Sequence, residues 1–303
     1  MALQDWGGAP SSDPAQVFLW DVDQWAEAWR REASTGCATM EFSPDGGLIA
    51  YGVYAGGMNA HIIVHLRDAQ EGRPEAGVVD FYDASDLAFS PDGHYLAATN
   101  GYVLLYKIAS MRRFLDNVLD DVGTDTPAQI LKPQSGNGLA EAAEFSPTES
   151  LLVLTTREGS LLLWPLEDPS PTITHSTSDS CHGDPPEHAR PIAFSSDGAV
   201  IATNLCGDSL TLYDAKTLTQ VAAIPVSSPT VALAFAPDGA RVLAAHDHGA
   251  LIWDIPSNSV ACVLDTRSQS PVAVGFARDG SRALATTREG AAIQWDLASC
   301  GPK

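Results

Sequence analysis

Basic side chains are scarce in this sequence. The 303 residues contain 17 lysines and arginines against 38 aspartates and glutamates, which gives a formal net charge of −21 at pH 7. Such a field repels nucleic-acid phosphates and anionic membranes, and it favours basic partners or cations. We therefore expect no nucleic acid and no membrane among the partners, and a basic protein or peptide partner where charge decides the choice. A generally acidic surface with no bearing on partner choice is the alternative.

Long apolar runs and a leader segment are also missing. No stretch approaches the ~20 apolar residues that a membrane-spanning helix needs. The first residues, Met1 to Trp6, have neither the basic start nor the apolar centre of a secretory signal. These observations predict a cytoplasmic location, unless the sequence is a domain excised from a longer protein.

Cysteine occurs only five times, at Cys37, Cys181, Cys206, Cys262 and Cys300. An odd number without paired spacing does not indicate a disulfide framework. Cys206 and Cys262 lie within or beside apolar runs, so we expect them to be small core residues.

Motifs for catalysis and for cofactor binding are absent. There is no Gly-x-Ser-x-Gly, no phosphate loop and no glycine pattern for a dinucleotide, so we predict no catalytic residue and no cofactor. The side chains that suit zinc are Cys181, His182, His188, His246 and His248. Their spacing matches no zinc signature, and we predict surface loops there rather than a metal site.

What the sequence contains instead is a repeated pentapeptide. It begins as Phe42-Ser43-Pro44-Asp45-Gly46, returns unchanged at residues 89–93 and recurs four more times with substitutions. The phenylalanines of the six copies are Phe42, Phe89, Phe145, Phe194, Phe235 and Phe276. They lie 41 to 56 residues apart, and a period in the forties is typical of repeat architectures.

Each copy has the same order of strands and turns. An apolar run ends in the phenylalanine, and a turn follows in which proline fixes φ, aspartate bonds its own backbone and glycine supplies a positive φ. A second apolar run, a short polar turn such as Arg157-Glu158-Gly159, and a third run ending in an aromatic residue come next. Fourth strands are predicted between the repeats, at 77–81, 129–132, 172–174, 220–224 and 260–264.

With these elements the chain resembles the WD40-repeat β-propeller family, from about Val17 to Leu297. The resemblance implies an all-β protein, one propeller domain over residues 1–303 with six recognisable repeats, each giving four strands. Two departures stand out. The Gly-His pair that the family has between the fourth and first strands is missing, which puts its hydrogen-bonded tetrad in doubt. The aromatic residue of the third strand is tyrosine in two repeats, Tyr106 and Tyr213, and His65 takes that place in the first.

The N-terminal residues 1–35 predict a partial blade that closes the ring against the unit 272–297. Residues 16–22 read as a third strand, and residues 25–31 as a fourth strand or a short helix. Six blades with 16–22 as an additional strand on the last blade is one arrangement. Seven blades, with 1–31 as most of the seventh, is the other and is favoured.

An insertion after the third strand of the second repeat has a different period. Met111, Phe114, Leu115, Val118 and Leu119 fall at helical spacing, so we predict an amphipathic helix over 110–122. Such a helix would cover the propeller's own apolar surface or, alternatively, dock a partner.

Three functions fit these observations. The resemblance implies a non-catalytic scaffold for protein–protein interaction, which is the first interpretation and includes a monomeric state. An enzyme, a hydrolase or lyase with a polar site at the channel mouth, is the second, and a sensor or regulatory domain of a larger protein is the third. For the scaffold, we predict partner-binding residues at the tips of the second turns. These are Arg157, Glu158, Asp247, His248, Arg288 and Glu289.

Overall fold

The structure is a computed structural model whose regular elements are almost all β-strands. It describes residues 2–4, 16–21, 23–32, 37–55, 61–81, 86–99, 101–115, 118–119, 127–132, 139–166, 191–205, 209–226, 228–247, 249–298 and 300. The chain divides into two compact units, Met1–Pro133 and Gln134–Lys303. In the described part of the chain, no helix is long and apolar enough to cross a membrane.

The first unit begins with a three-stranded antiparallel sheet. Its strands are β1 (Ala2–Gln4), β2 (Gln16–Asp21) and β3 (Ala26–Glu32). Strand β2 is the central strand, with β1 on one edge and β3 on the other. Each of the six repeats forms one sheet, as the six-blade arrangement requires, and a seventh blade made by residues 1–31 stays a prediction. The helical alternative for 25–31 is wrong, because β3 is a strand. Pairing of this segment with the unit 272–297 stays a prediction.

Two further sheets complete the first unit, one for each of the first two repeats. The first contains β4 (Cys37–Phe42), β5 (Leu48–Ala55), β6 (His61–Asp68) and β7 (Pro74–Phe81). The second contains β8 (Asp86–Phe89), β9 (Tyr95–Thr99), β10 (Val103–Lys107) and, beyond an insertion, β13 (Gln129–Leu131). In both sheets the strands lie in chain order and run antiparallel.

The insertion contradicts the helix predicted over 110–122. A single 3₁₀ turn at Ile108–Ser110 is followed by β11 (Arg112–Leu115) and β12 (Val118–Leu119). Strand β11 pairs with β7, and β12 pairs with β11, so the first repeat's sheet has six strands. The physical reason is that the outer edge of β7 offers unpaired backbone groups that a strand satisfies at once. An isolated helix of this length is marginal in water, whatever its apolar period.

The second unit contains four antiparallel sheets, one for each of the remaining repeats. The first two contain β14 (Ala140–Phe145), β15 (Leu151–Thr156) and β16 (Leu161–Pro165), then β17 (Ile192–Phe194), β18 (Val200–Thr203), β19 (Ser209–Asp214) and β20 (Gln220–Pro225). The others contain β21 (Thr230–Phe235), β22 (Arg241–His246), β23 (Gly249–Asp254) and β24 (Ser259–Leu264), then β25 (Pro271–Phe276), β26 (Arg282–Thr287) and β27 (Ala292–Asp296). Four of the five predicted fourth strands are thus confirmed, and 172–174 lies outside the described residues.

Neighbouring sheets of a unit pack face to face through the residues that the repeat keeps apolar. In the first unit, Val17 and Trp29 of the N-terminal sheet pack against Ile49 and Tyr51 of the first repeat. In the second unit, clusters of the same kind join each sheet to the next, and the first strands β14, β17, β21 and β25 contact one another in that order. Each large side chain buried in this way contributes about 1.5–3 kcal/mol to the free energy of unfolding.

The register of the strands repeats from sheet to sheet. In the third repeat, Phe145 pairs with Leu152, and Leu152 pairs with Trp164 of the third strand. The same relation places Tyr106, Tyr213, Trp253 and Trp295 in the aromatic position of their sheets.

The first repeat differs from its prediction at this position. Phe42 pairs with Ile49, and Ile49 pairs with Arg67, so Arg67 and not His65 occupies the aromatic place. Arg67 lies over the ring of Tyr51 at 5.6 Å and donates a hydrogen bond to its hydroxyl, so the long side chain covers the surface that an aromatic ring would cover. His65 is the cross-strand partner of Tyr51 and stacks on its ring, with ring centroids 5.4 Å apart. Desolvation, followed by the charge of Arg67, lowers the pKa of His65 to about 4.

The turn between the first and second strands forms as its residues predict. In the first repeat the Ser43 hydroxyl donates to Asp45 at 2.6 Å and accepts from Leu48 N–H at 2.8 Å, while Gly46 has φ of 70°. The same bonds recur at Ser90 with Asp92 and at Ser195 with Asp197. These serine hydroxyls lower the pKa of the three aspartates, with further help from backbone N–H groups.

The turn between the third and fourth strands is capped by the aspartate that follows the aromatic position. Asp214 accepts hydrogen bonds from Lys216 and Thr217 N–H, and Leu218 then adopts a φ of 51°. Asp21 of the N-terminal sheet caps its turn in the same way, with Trp25 at a φ of 51°. This match identifies β2 and β3 as the third and fourth strands of a blade, as the sequence predicts.

One covalent bond was not expected. Cys262 of β24 and Cys300 are joined by a disulfide that spans 38 residues. After β27, the Leu297 N–H bonds to Ser281 and the Cys300 N–H bonds back to Leu297, and this turn directs the chain towards β24. Cys262 packs against the core of its sheet as predicted, but it also forms a disulfide, which the odd cysteine count did not indicate. Cys206 lies outside the described residues.

Candidate partner-binding surface

Antiparallel order places two kinds of connection at one end of each sheet. The turns between second and third strands lie there, together with the linkers that lead into the first strands. We call this end the linker end, and the opposite end, which carries the Ser-Pro-Asp-Gly turns, the aspartate end. Four of the predicted partner-binding residues, Arg157, Glu158, Arg288 and Glu289, lie at the linker end in two turns of identical sequence, Thr-Arg-Glu-Gly.

The two turns have the same internal bonding. In the third repeat the Thr156 hydroxyl accepts from Ser160 N–H at 3.1 Å, and Gly159 has φ of 81°. In the last repeat the Thr287 hydroxyl accepts from Ala291 N–H at 3.2 Å, and Gly290 has φ of 77°. Both threonines are buried. The tips are therefore rigid and carry their arginine and glutamate in defined positions.

Each turn is also bonded to the linker of its own sheet. The Arg157 N–H donates to the Leu139 carbonyl at 2.8 Å, and the Glu158 carboxylate accepts from the Leu139 N–H at 3.1 Å. The geometry is repeated in the last sheet.

There the Arg288 N–H donates to the Ser270 carbonyl at 2.8 Å, and Glu289 accepts from the Ser270 N–H at 3.1 Å. Backbone N–H groups, its own first, lower the pKa of Glu289. The two glutamates thus hold turn and linker together through their carboxylates, a role that the sequence did not predict. Both arginine side chains are exposed.

The remaining two predicted residues belong to the fifth repeat. Asp247 is half-buried in the turn after β22, and His248 lies outside the described residues. His246 precedes them at the end of β22 and pairs with Gly249. A Cβ at Gly249 would meet the His246 ring at 3.3 Å, so the absence of a side chain at Gly249 gives the imidazole its room.

The metal candidates are only partly described. No group of three metal-binding side chains occurs in the described ranges. Since Cys181, His182, His188 and His248 all lie outside those ranges, the prediction about metal binding there stays a prediction.

A pair of carboxylates on the first strands of the first unit was missed by the sequence interpretation. Glu41 of β4 and Asp86 of β8 lie on strands that contact each other. Glu41 is exposed by surface area, yet protein atoms surround it closely, and this desolvation, followed by the charge of Asp86, raises its pKa to about 8. The signal in the sequence was that Glu41 precedes the repeat phenylalanine, where four other repeats have a small residue such as Ala88 or Ala193 and only the third has a glutamate, Glu144.

Comparisons with known proteins agree with this architecture. No protein-family model matches the chain. The 77 kDa echinoderm microtubule-associated protein of Lytechinus variegatus is 28% identical over 100 residues, which is 32% of this chain and 14% of that protein. The LST8 homolog of Drosophila pseudoobscura pseudoobscura is 33% identical over 109 residues, 35% of this chain and 32% of that protein. The matched part therefore spans a third or less of these relatives.

A solved structure matches almost the whole chain. A chain in the crystal structure of a mitotic checkpoint complex superposes with a TM-score of 0.71 at 15% identity, covering 97% of this chain and 86% of that one. Together with the repeated four-stranded sheets, this defines the class: an all-β β-propeller protein, with six sheets that follow the six repeats and a partial N-terminal sheet. The Trp-Asp strand ends make the chain similar to WD40-repeat β-propellers, and the two partial relatives support that likeness.

Proposed function

We propose that this protein is a non-catalytic scaffold that binds a protein partner through the linker ends of its sheets. One observation carries the proposal: two turns of identical sequence, each fixed to its linker by the same pair of backbone and carboxylate bonds, present exposed arginines on a rigid support. Rigid support for exposed polar tips reduces the ordering cost of binding. The similarity to a chain crystallised in a multiprotein complex supports the same function.

The test uses variants of exposed residues that leave the strands intact. A double variant, Arg157→Ala with Arg288→Ala, removes both tip cations, and Arg278→Ala is the matched control on the aspartate end of the last sheet. Affinity purification from the source cell, with quantitative mass spectrometry, should recover a stoichiometric protein partner with the unmodified protein and the control. The double variant should recover at least about five-fold less, the equivalent of ~1 kcal/mol. Absence of any stoichiometric partner of the unmodified protein would contradict the proposal.

A second function, an enzyme with a polar site on its first strands, is favoured by Glu41 and Asp86. A carboxyl of raised pKa beside a second carboxylate is a common acid–base arrangement in hydrolases. Chromogenic glycosides and phosphate and carboxylate esters, assayed with the protein and with Glu41→Gln, test it. Turnover that the variant loses would favour the enzyme, and equal background in both proteins would remove it.

A further inference from the structure

The two Thr-Arg-Glu-Gly turns differ in one respect, which is the partner of the arginine side chain. In the third repeat the Arg157 Nε forms an ion pair with the Glu141 carboxylate at 3.3 Å. Glu141 lies two residues after Leu139, the linker residue that the turn binds. In the last repeat the residue two positions after Ser270 is Val272. The Arg288 guanidinium consequently has no carboxylate of this kind and forms no ion pair with the described residues.

A second exposed arginine lies in the linker that the Arg288 turn binds. Arg267 and Ser268 both have positive φ, 55° and 61°, a conformation that non-glycine residues adopt only when their surroundings enforce it. The Asp265 carboxylate accepts the Arg267 N–H at 2.8 Å, and Thr266, 1% exposed, anchors the loop from within the protein. The Arg267 side chain is exposed and forms no ion pair with the described residues.

Both guanidinium groups are therefore carried by the same end of one sheet. Arg267 is three residues before Ser270, whose carbonyl accepts the Arg288 N–H at 2.8 Å, so the backbone segments that bear them are hydrogen-bonded neighbours. We call Arg267 and Arg288 the arginine pair.

Carboxylates that could pair with an arginine are abundant in so acidic a chain. Acidic residues outnumber basic ones by more than two to one. Five described cations form an ion pair with a neighbouring carboxylate: Arg30, Arg73, Arg157, Arg241 and Lys216. Two exposed arginines on hydrogen-bonded neighbouring segments, with no ion pair to a described residue, are suited to a carboxylate from outside, since guanidinium groups bind carboxylates with paired hydrogen bonds.

We infer that the arginine pair binds an acidic segment of a partner protein, with Asp or Glu carboxylates seated on Arg267 and Arg288. The inference rests on the proposed scaffold function and specifies the partner chemistry at one of its sheets. An acidic partner segment is the opposite of the basic partner that the net charge of the whole chain favours. The two expectations are compatible because surface charges more than about 8 Å apart are largely screened at physiological ionic strength, whereas a guanidinium–carboxylate contact is direct.

The experiment uses defined peptides, so that it does not depend on identifying the natural partner. The probe is a labelled twelve-residue peptide in which Asp and Glu alternate with Gly and Ser. One comparison peptide has Asn and Gln in place of the acids, a second has Lys, and a third has a single phosphoserine in the Asn/Gln background. Fluorescence anisotropy at 50 and 150 mM NaCl gives the dissociation constants for the full chain.

The matched variants are built into the protein. Arg267→Ala with Arg288→Ala removes the pair, and Arg278→Ala removes an exposed arginine from the other end of the same sheet. We expect the acidic peptide to bind more tightly than the Asn/Gln peptide, and the double variant to weaken this binding about five-fold or more. The Arg278→Ala control should stay within about two-fold of the unmodified protein. Circular dichroism melting confirms that each variant is folded.

Three results would overturn the inference: equal binding of the acidic and Asn/Gln peptides, binding that the double variant retains, or binding of the phosphoserine peptide alone, which would assign the surface to phosphate. If any of these results is found but the affinity purification recovers a stoichiometric partner of the unmodified protein, the scaffold proposal stands and only the arginine-pair inference is wrong. If the purification recovers no partner but the acidic peptide binds as expected, the scaffold proposal is wrong and the arginine pair remains a binding surface.

Discussion

Individual residues of this protein show how a turn can fix the packing of a neighbouring sheet. Gly72, with φ of 65°, ends the turn between β6 and β7, and Trp29 of β3 lies against it. A Cβ at Gly72 would meet Trp29 Cδ2 at 2.9 Å. The Trp29 indole donates to the Ala69 carbonyl of the same turn at 2.9 Å, and the Arg31 guanidinium donates to Glu71 O at 2.6 Å. One small residue thus permits the contact between the N-terminal sheet and the first repeat.

The first prediction follows from this contact. Gly72→Ala should lower the free energy of unfolding by roughly 1–3 kcal/mol more than Gly46→Ala. Both glycines have positive φ, so both variants carry the backbone cost of about 1 kcal/mol. Only the Gly72 variant adds the collision with Trp29, because no atom lies within 4 Å of a Cβ at Gly46. Urea denaturation followed by tryptophan fluorescence measures both, and equal losses would contradict the packing described.

A second prediction concerns Glu41. Because its pKa in the folded protein is raised from 4.5 to about 8, the folded state binds this proton more tightly than the unfolded state does. Its contribution to stability is complete below pH 4.5 and is lost as the pH rises to about 8. We therefore expect Glu41→Gln to melt at the same temperature as the unmodified protein near pH 4 and about one to two degrees higher at pH 9, since the exposure of Glu41 reduces the effect.

The control for this prediction is Asp86→Asn. It removes the charge that contributes to the raised pKa of Glu41, so Glu41 should ionise at a lower pH. The stability contributed by its proton should then be lost over a narrower pH range above 4.5. Differential scanning calorimetry from pH 4 to 9 measures both variants. A difference between Glu41→Gln and the unmodified protein that stays constant with pH would refute the assigned pKa.

At the scale of the elements, the sequence predicts strands well wherever turn chemistry and apolar runs repeat. The Ser-Pro-Asp-Gly turns and four of the fourth strands follow directly, because each depends on neighbouring residues. The prediction of a helix over 110–122 is wrong, because the 3.6-residue period of these residues carries no information about the open edge of β7, which is distant in the sequence. The assignment of His65 to the aromatic position is wrong for a related reason. Strands β5 and β6 have eight residues each, longer than in the other repeats, so the sequence alone does not show that Arg67 is the residue that pairs with Ile49.

The candidate site could be predicted in position but not in detail. The Thr-Arg-Glu-Gly turns are visible in the sequence, and the repeat places them at one end of their sheets. The binding of Glu158 and Glu289 to linker N–H groups depends on contacts across about 20 residues, so the sequence could not distinguish these glutamates from free ones. The same holds for Glu141, which neutralises Arg157 from another strand.

The disulfide supports a third prediction, on the element that it joins to β24. Reduction, or Cys300→Ser, should lower the free energy of unfolding by roughly 2–4 kcal/mol, since the bond closes a loop of 38 residues in the unfolded chain. Urea denaturation with and without dithiothreitol measures the loss, and a non-reduced peptide map should contain the linked Cys262 and Cys300 peptides. Dithiothreitol should have no comparable effect on Cys300→Ser. An equal effect on both proteins would assign the loss to another thiol.

At the scale of the whole molecule, the cellular compartment and the net charge are the two properties to consider. Disulfides persist in oxidising compartments and are rare in the cytosol, and the cytoplasmic location expected from the sequence stays a prediction. The charge of −21 is a property of the chain in either compartment. It keeps the protein soluble, and it also opposes the compact state through self-repulsion.

The last prediction tests this repulsion. Raising NaCl from 20 to 500 mM shortens the Debye length from about 20 Å to about 4 Å, so repulsion between carboxylates on different sheets is screened. The few surface ion pairs, such as Lys216 with Glu149, lose little because exposed pairs contribute only about 0–1 kcal/mol each. We therefore expect the melting temperature at pH 8 to rise with NaCl by several degrees. Near the isoelectric pH of about 4.5 the rise should vanish. A salt effect of equal size at both pH values would mean that ion exclusion from apolar surface, rather than charge, governs the stability of this protein.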